Sequence, residues 1–143
     1  RHSSAASDVY KRQVLIFDLF GAEILMNRFH MGEESAKTNK KSTMVVESHI
    51  TYNEEVKEGD EVDVNLLYFD HDKKRLQYKL EMIHKEKKYV ASTIETLSLY
   101  VDLSLRKVAE FEEEKVKIMD QYIKENSSKF IQENLKFSGK LKK

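Results

Sequence analysis

The sequence predicts an α+β fold in which one apolar helix is covered by an antiparallel sheet, with a second, charged helix on the surface. Three observations carry this. Residues 14–31, VLIFDLFGAEILMNRFHM, are dense in apolar side chains at helical spacing. Four later stretches alternate apolar and polar residues, as strands of an antiparallel sheet do when one face is wet or shared. Residues 110–137 are rich in charge and carry an apolar stripe through Val116, Met119, Ile123 and Phe130.

Each element has its own local reason. In residues 14–31 the apolar set Val14, Phe17, Phe20, Ile24 and Leu25 marks one helical face. Ile16, Leu19 and Met26 make the helix apolar on most sides, so a buried helix is expected, with Gly32 as its stop. Residues 33–42 are a polar loop. In the first strand, 43–52, Met44, Val46, Ile50 and Tyr52 share a face. In the second, 62–69, Val62, Val64, Leu66 and Tyr68 do so. In the third, Leu76, Tyr78, Leu80 and Met82 alternate with Gln77, Lys79 and Glu81. The fourth, 89–101, has Leu97, Leu99 and Val101 in phase. The breaks KEGDE, DHDKK and KEKK are short enough for hairpins, which predicts a four-strand meander. Residues 126–128, Asn-Ser-Ser, interrupt the last helix, and the tail SGKLKK reads as disordered. A sheet curled around the apolar helix is the economical way to cover it, and a strand ahead of the helix would complete that sheet.

The 143 residues suit a single domain. Lysine plus arginine number 25 and aspartate plus glutamate 25, so no basic footprint points to nucleic acid. No apolar run approaches the roughly 18 residues of a membrane span. Cysteine is absent, which excludes disulfides, thiolate zinc sites and cysteine nucleophiles; with no secretory signal in view, a cytoplasmic protein is expected. The opening RHSSAASDVYKRQ is polar, lacks a starting methionine and resembles translated adapter sequence. Residues 1–13 are therefore expected to be non-native or disordered, with residues 1 to about 12 packing against nothing, residues 14–125 to form the domain, and residues 126–143 to be a helical or disordered tail.

Phosphate-loop and G-x-S-x-G motifs are missing. Asp70, Asp72 and Glu81 echo a calcium loop, but Arg75 stands where the loop needs glycine and Lys74 at a ligand position, so the segment reads as a turn. His71 and His84 lack ligand-spaced partners, and neither a metal nor a cofactor is expected. Four acids and bases stand out. Glu95 has the parity of Leu97 and Leu99 and so must find a partner, sit in a polar cleft, or be turned outward by a bulge. Glu47 and His49 lie opposite in phase to Ile50, on a solvated face, a subunit contact or a substrate wall. Asp18 sits within the apolar helix, where it would cap, pair or face a site.

VESHITY at 46–52, the turn EVKEGDEV, the strand start Lys74-Arg75-Leu76, AST-x-E at 91–95 and YVDLSLRK at 100–107 occur in this order. Together they resemble the hot-dog-fold acyl-CoA thioesterases of the 4-hydroxybenzoyl-CoA thioesterase-like superfamily, and among these the betainyl-CoA thioesterases of carnitine breakdown. The resemblance spans Val14 to about Ile123. It implies a long helix wrapped by an antiparallel sheet, a homodimer with sites at the subunit interface, and hydrolysis of a small acyl-CoA. It also implies an acid just ahead of the helix as base, with backbone N–H groups at the helix start as oxyanion donors. That segment here is the adapter-like stretch, so Asp8 takes no role. The resemblance thus implies a truncated chain that hydrolyses acyl-CoA poorly. The in-chain catalytic candidates are Glu95 and Asp18; the substrate-binding candidates are Glu47, His49, Tyr52 and Glu95. Rival readings are a non-catalytic acyl-CoA-binding domain and a hot-dog dehydratase.

Overall fold

The computed structural model describes residues 2–24 and 28–143. In chain order its elements are α1 (His2–Glu23), the short α2 (Glu33–Thr38), β1 (Lys41–Tyr52), β2 (Val62–His71), β3 (Arg75–His84), β4 (Val90–Asp102), the two-residue β5 (Lys107–Val108) and α3 (Glu113–Asn126). All four long strands join one antiparallel sheet in the order β1-β4-β3-β2, and β5 pairs with β4. The α+β class and the helix-on-sheet architecture expected from sequence are what the chain adopts.

The meander is only partly right. DHDKK and KEKK do turn β2 into β3 and β3 into β4, but KEGDE does not close a hairpin. β1 pairs with β4, so residues 53–61 carry the chain across to the opposite edge. The crossing is pinned where Asn53 and Glu54 N–H both donate to Ala91 O at 2.9 and 3.0 Å. Gly59 takes the left-handed conformation (φ 91°) in its turn, where a side chain would be strained.

Sheet register shifts explain which side chains reach the core. β3 turns Leu76, Tyr78, Leu80 and Met82 toward α1, all buried, while Gln77 is buried on the opposite face, where it donates to Glu95. In β2 a shift between Leu66 and Tyr68 flips the pattern: Val62, Val64 and Leu66 face α1, but Phe69 takes over from there and Tyr68 faces away. In β1 a shift between Val45 and Glu47 separates Met44 from Ile50 and Tyr52, so the single face expected for those residues is split.

α1 begins at His2, within the stretch read from sequence as non-native or disordered, and Gln13 is buried. Phe17 and Ile24 bury fully against the sheet, with Ile16 and Phe20 beside them. The helix is not apolar-covered on most sides, however: Leu15 is 59% exposed and Leu19 71%. One sheet covers one helical face, and nothing described lies over the other. Leu25 and Met26, part of the expected stripe, lie outside the described residues. Beyond them, Phe29 and Met31 are fully buried. Phe29 stacks at 4.7 Å on Phe69 and meets Tyr122 of α3 edge-on at 5.6 Å, which docks α3 at the β2 side.

The last helix is shorter than the expected 110–137. It ends at Asn126, followed by a single 3-10 turn at Ser127–Lys129, so the Asn-Ser-Ser interruption is a stop. The tail is then fastened along the sheet. Ile131 N–H donates to Leu67 O at 2.8 Å, and Phe137 is buried on the face opposite α1. The helix is also less simple than its stripe suggests, because Lys115 is buried along with Met119. No described helix is long and apolar enough to cross a membrane.

Candidate functional site in the helix–sheet seam

A row of hydroxyls crosses the sheet beneath α1. The register places Ser48 of β1 opposite Thr96 of β4, and Thr96 opposite Tyr78 of β3, all on the helix-facing side. Thr96 and Tyr78 are buried, while Ser48 is exposed at the sheet edge. One row along, Ser98 is buried with no described partner for its Oγ. Three strands supplying hydroxyl side chains at matching positions is an unusual use of a core face, since a buried hydroxyl needs a partner.

α1 closes over this row at Gly21. A Cβ there would lie 2.7 Å from the Tyr78 hydroxyl, so glycine is what lets the helix approach the phenol. Asp18, one helical turn earlier, is exposed beside the seam. Burial pushes the Tyr78 pKa up; a hydrogen bond with Thr96 works against that, and the Asp18 charge adds to the rise. The seam therefore holds a phenol that stays protonated next to an exposed carboxylate, a donor beside an acceptor.

The candidates from sequence divide between the two faces of the sheet. Tyr52, opposite Ser92, lies on the helix side with Asp18. Glu47, His49 and Glu95 lie together on the other face, with His49 directly opposite Glu95. Glu95 is 1% exposed and no register break occurs at it. Its carboxylate accepts from Gln77 Nε2 at 2.9 Å and from the backbone N–H groups of Lys136 (2.7 Å) and Phe137 (2.8 Å). It is the anchor of the C-terminal tail, with three of its roughly four acceptor positions occupied. Glu47 meets Lys140 Nζ of the same tail at 3.7 Å.

Two further polar clusters lie outside the seam. His84 is buried, stacks on Tyr89 at 4.9 Å, accepts from Lys87 N–H at 3.0 Å and reaches Asp60 at 3.3 Å. That leaves no free ring nitrogen for a ligand. His71 sits between Asp72 O (2.8 Å) and Asp120 Oδ1 (2.6 Å), tying β2 to α3. Among the described residues no group of three or more His, Asp or Glu is placed to hold a metal ion.

Sequence reasoning missed Ser48, Tyr78, Thr96 and Ser98. The available signal was the run Ser92, Thr96, Ser98, Tyr100 at every second or fourth position of β4, an alternation of hydroxyls. It was outweighed by the more obvious leucines of the opposite phase.

The fold and the family agree. Solved structures with this fold include a Staphylococcus aureus protein in complex with CoA, 22% identical over 87% of this chain and 75% of that one, with a TM-score of 0.74. A DHNA-CoA thioesterase from Staphylococcus aureus is 14% identical over 85% of this chain and 82% of its own, with a TM-score of 0.71. A 1,4-dihydroxy-2-naphthoyl-CoA thioesterase from Synechocystis is 17% identical over 76% and 80%, with a TM-score of 0.65. No curated protein matches the sequence. The family model for the thioesterase-like superfamily matches residues 8–132, most of the length, and the chain belongs to that superfamily.

Proposed function

We propose that the protein hydrolyses the thioester of a small acyl-CoA, betainyl-CoA among them, to the free acid and CoA, in the cytoplasm and in the service of carnitine breakdown. The observation that carries the reading is the row of Tyr78 and Thr96 hydroxyls where α1 crosses at Gly21, with the exposed Asp18 one turn earlier on that helix, in a chain of the thioesterase-like superfamily. Solved relatives of the same fold that bind CoA or cleave CoA thioesters support the substrate class.

The chemistry follows from the groups present. Asp18 accepts a proton from water, and the water oxygen attacks the thioester carbonyl carbon. The Tyr78 O–H, aided by Thr96, donates to the oxyanion that forms there. The C–S bond then breaks, and the thiolate leaves with the proton from Asp18. Tyr52 lies on the same side of the sheet as a wall for the acyl or pantetheine chain. Glu95 acts at a distance from this chemistry, as the tail's anchor; Glu47 and His49 are placed to contact substrate only from the far face.

The site works in a homodimer. β1 is a sheet edge of 12 residues with Met44, Val45 and Val46 exposed, and a second copy's β1 satisfies its free backbone groups. Light scattering gives a mass near 34 kDa on this reading, twice the 16.9 kDa chain; a stable monomer at micromolar concentration contradicts it. Thiol release from betainyl-CoA and a panel of short acyl-CoAs tests the activity. CoA binding without turnover would favour a non-catalytic binding domain, and hydration of an enoyl-CoA would favour a dehydratase.

A further inference from the structure

We propose that His71 is a proton-operated latch between the sheet and α3, closed while its ring carries two protons and loosened when it gives one up. The latch owes nothing to the thioesterase reading, and its test reads no turnover. Neutral imidazole has one N–H and one lone pair, so it donates from a single ring nitrogen. Both nitrogens of His71 meet acceptors. Nδ1 lies 2.8 Å from the backbone oxygen of Asp72, and Nε2 lies 2.6 Å from Asp120 Oδ1 on α3. A carbonyl oxygen cannot donate, and an ionised carboxylate only accepts. The imidazolium is therefore the form that satisfies both ends at once. Of the two contacts, the one to Asp72 is local to the β2–β3 turn, while the one to Asp120 spans 49 residues of chain. A neutral ring that keeps the local bond turns the Nε2 lone pair toward the Asp120 carboxylate, so the loss falls on the contact that ties α3 to the sheet.

The surroundings hold the ring in place and leave this contact in charge. The His71 side chain is 10% exposed, and Phe111 meets its ring edge-on at 6.1 Å. On β2 itself, Asp70 accepts the His71 backbone N–H at 2.8 Å and pairs with Lys143 of the tail at 2.6 Å. In the turn, Asp72 pairs with Arg75 of β3 at 3.0 Å and accepts the Lys142 N–H at 2.8 Å. Those two carboxylates have cations of their own, and among the described residues Asp120 is the one whose carboxylate bonds to the ring. Lys73 of the turn, Lys124 of α3 and Lys142 of the tail line the same cleft, but all three are exposed, so water and salt screen their repulsion of the imidazolium. Buried Met119, and Tyr122 edge-on to Phe69 at 5.9 Å, keep α3 docked when the latch opens, so the change is a loosening. Docking favours the protonated ring. The latch's share of stability is whole where the ring is protonated in docked and released α3 alike, and it is lost as pH rises and the ring deprotonates.

The test follows the whole chain by NMR across the pH range in which the His71 ring titrates. The ring nitrogens report its protonation, and amide exchange, corrected for its intrinsic pH dependence, reports protection of Met119 to Ile123 in α3 relative to Leu76 to Leu80 in β3. The ratio of α3 to β3 protection is expected to fall by about threefold or more as the ring loses its proton, the size of a partly exposed ion pair. Asp120→Asn, at a side chain that is 62% exposed, supplies an amide that accepts from an Nε2–H or donates to its lone pair, so it suits both forms of the ring. In that variant the ratio should stay level through the same titration. A level ratio in the unaltered chain, a fall that does not track the His71 ring, or an equal fall in Asp120→Asn overturns the proposal.

Discussion

Removing the Glu95 carboxylate should release the C-terminal tail while leaving the sheet folded. The carboxylate holds three donors: the Gln77 amide and the N–H groups of Lys136 and Phe137. At about 1.5 kcal/mol for each bond to a charged group, the set is worth roughly 4–5 kcal/mol. The measurable loss is smaller, because the two backbone N–H groups are hydrated once the tail lifts away. The loss is therefore capped by what else docks the tail: buried Phe137 and the Lys142 N–H bond to Asp72 at 2.8 Å. Glu95→Ala should cost about 2–3 kcal/mol of tail docking, or roughly 30- to 150-fold faster amide exchange at Lys136 and Phe137. Glu95→Gln should fall between, since one oxygen still accepts. Amide exchange read residue by residue is the assay, with β3 amides as internal reference. If Lys136 and Phe137 keep their protection in Glu95→Ala, the carboxylate does not anchor the tail. If β3 loses protection in step with them, the tail and sheet are one cooperative unit and the local argument fails.

Other expectations follow from the same contacts. Gly21→Ala places a methyl 2.7 Å from the Tyr78 hydroxyl and should cost about 1–3 kcal/mol in urea unfolding; the cost should largely vanish in the Tyr78→Phe background, and additivity of the two changes would refute the contact. Burial pushes the Asp72 carboxyl up, but N–H donation from Lys142, Lys74 and Arg75 and the Arg75 guanidinium outweigh it, so its folded pKa lies below the unfolded value. That stability is present above the unfolded pKa of about 4 and lost as pH falls through the folded one, so Asp72→Asn should flatten the acid limb of a pH–stability curve. Tyr68 is pushed up to about 12 by burial and Asp70, and Tyr100 is raised by burial and Glu112. Their contribution is complete below pH 10 or so and lost as pH rises further; Tyr68→Phe should remove part of the alkaline limb, seen by phenolate absorbance and circular dichroism together.

Much of the fold was legible because it rests on local pattern. β3 alternates in sequence from Leu76 to Met82, and Leu76, Tyr78, Leu80 and Met82 are the apolar residues buried on the α1 side. The two real hairpins have short polar turns. What failed was long-range: nothing in residues 53–61 distinguishes a hairpin loop from a crossing, since that is decided by which strand offers β1 a partner. The faces of β4 misled for a different reason. A central strand is covered on both sides, by α1 and by the tail, so both phases are buried and the leucines do not mark the core side. The docking of the tail was invisible in composition, because Lys136, Phe137 and Lys142 are held through backbone N–H groups that every sequence has, with side-chain ion pairs from Lys140 and Lys143 added. For the site, Asp18 and Tyr52 were singled out from sequence and lie on the helix side. The hydroxyl row was not, since cross-strand neighbours appear only once register is known.

The measurement that bears most directly on the functional account is the steady-state kinetics of Asp18→Asn on the acyl-CoA that the protein turns over best. Asp18 is exposed, so the change leaves packing intact, and asparagine accepts no proton. Loss of a general base costs about a hundredfold to ten-thousandfold in rate, and the account predicts a fall of that size in kcat with KM little changed. Equal turnover by Asp18→Asn and the unaltered chain would place the base elsewhere and contradict the account.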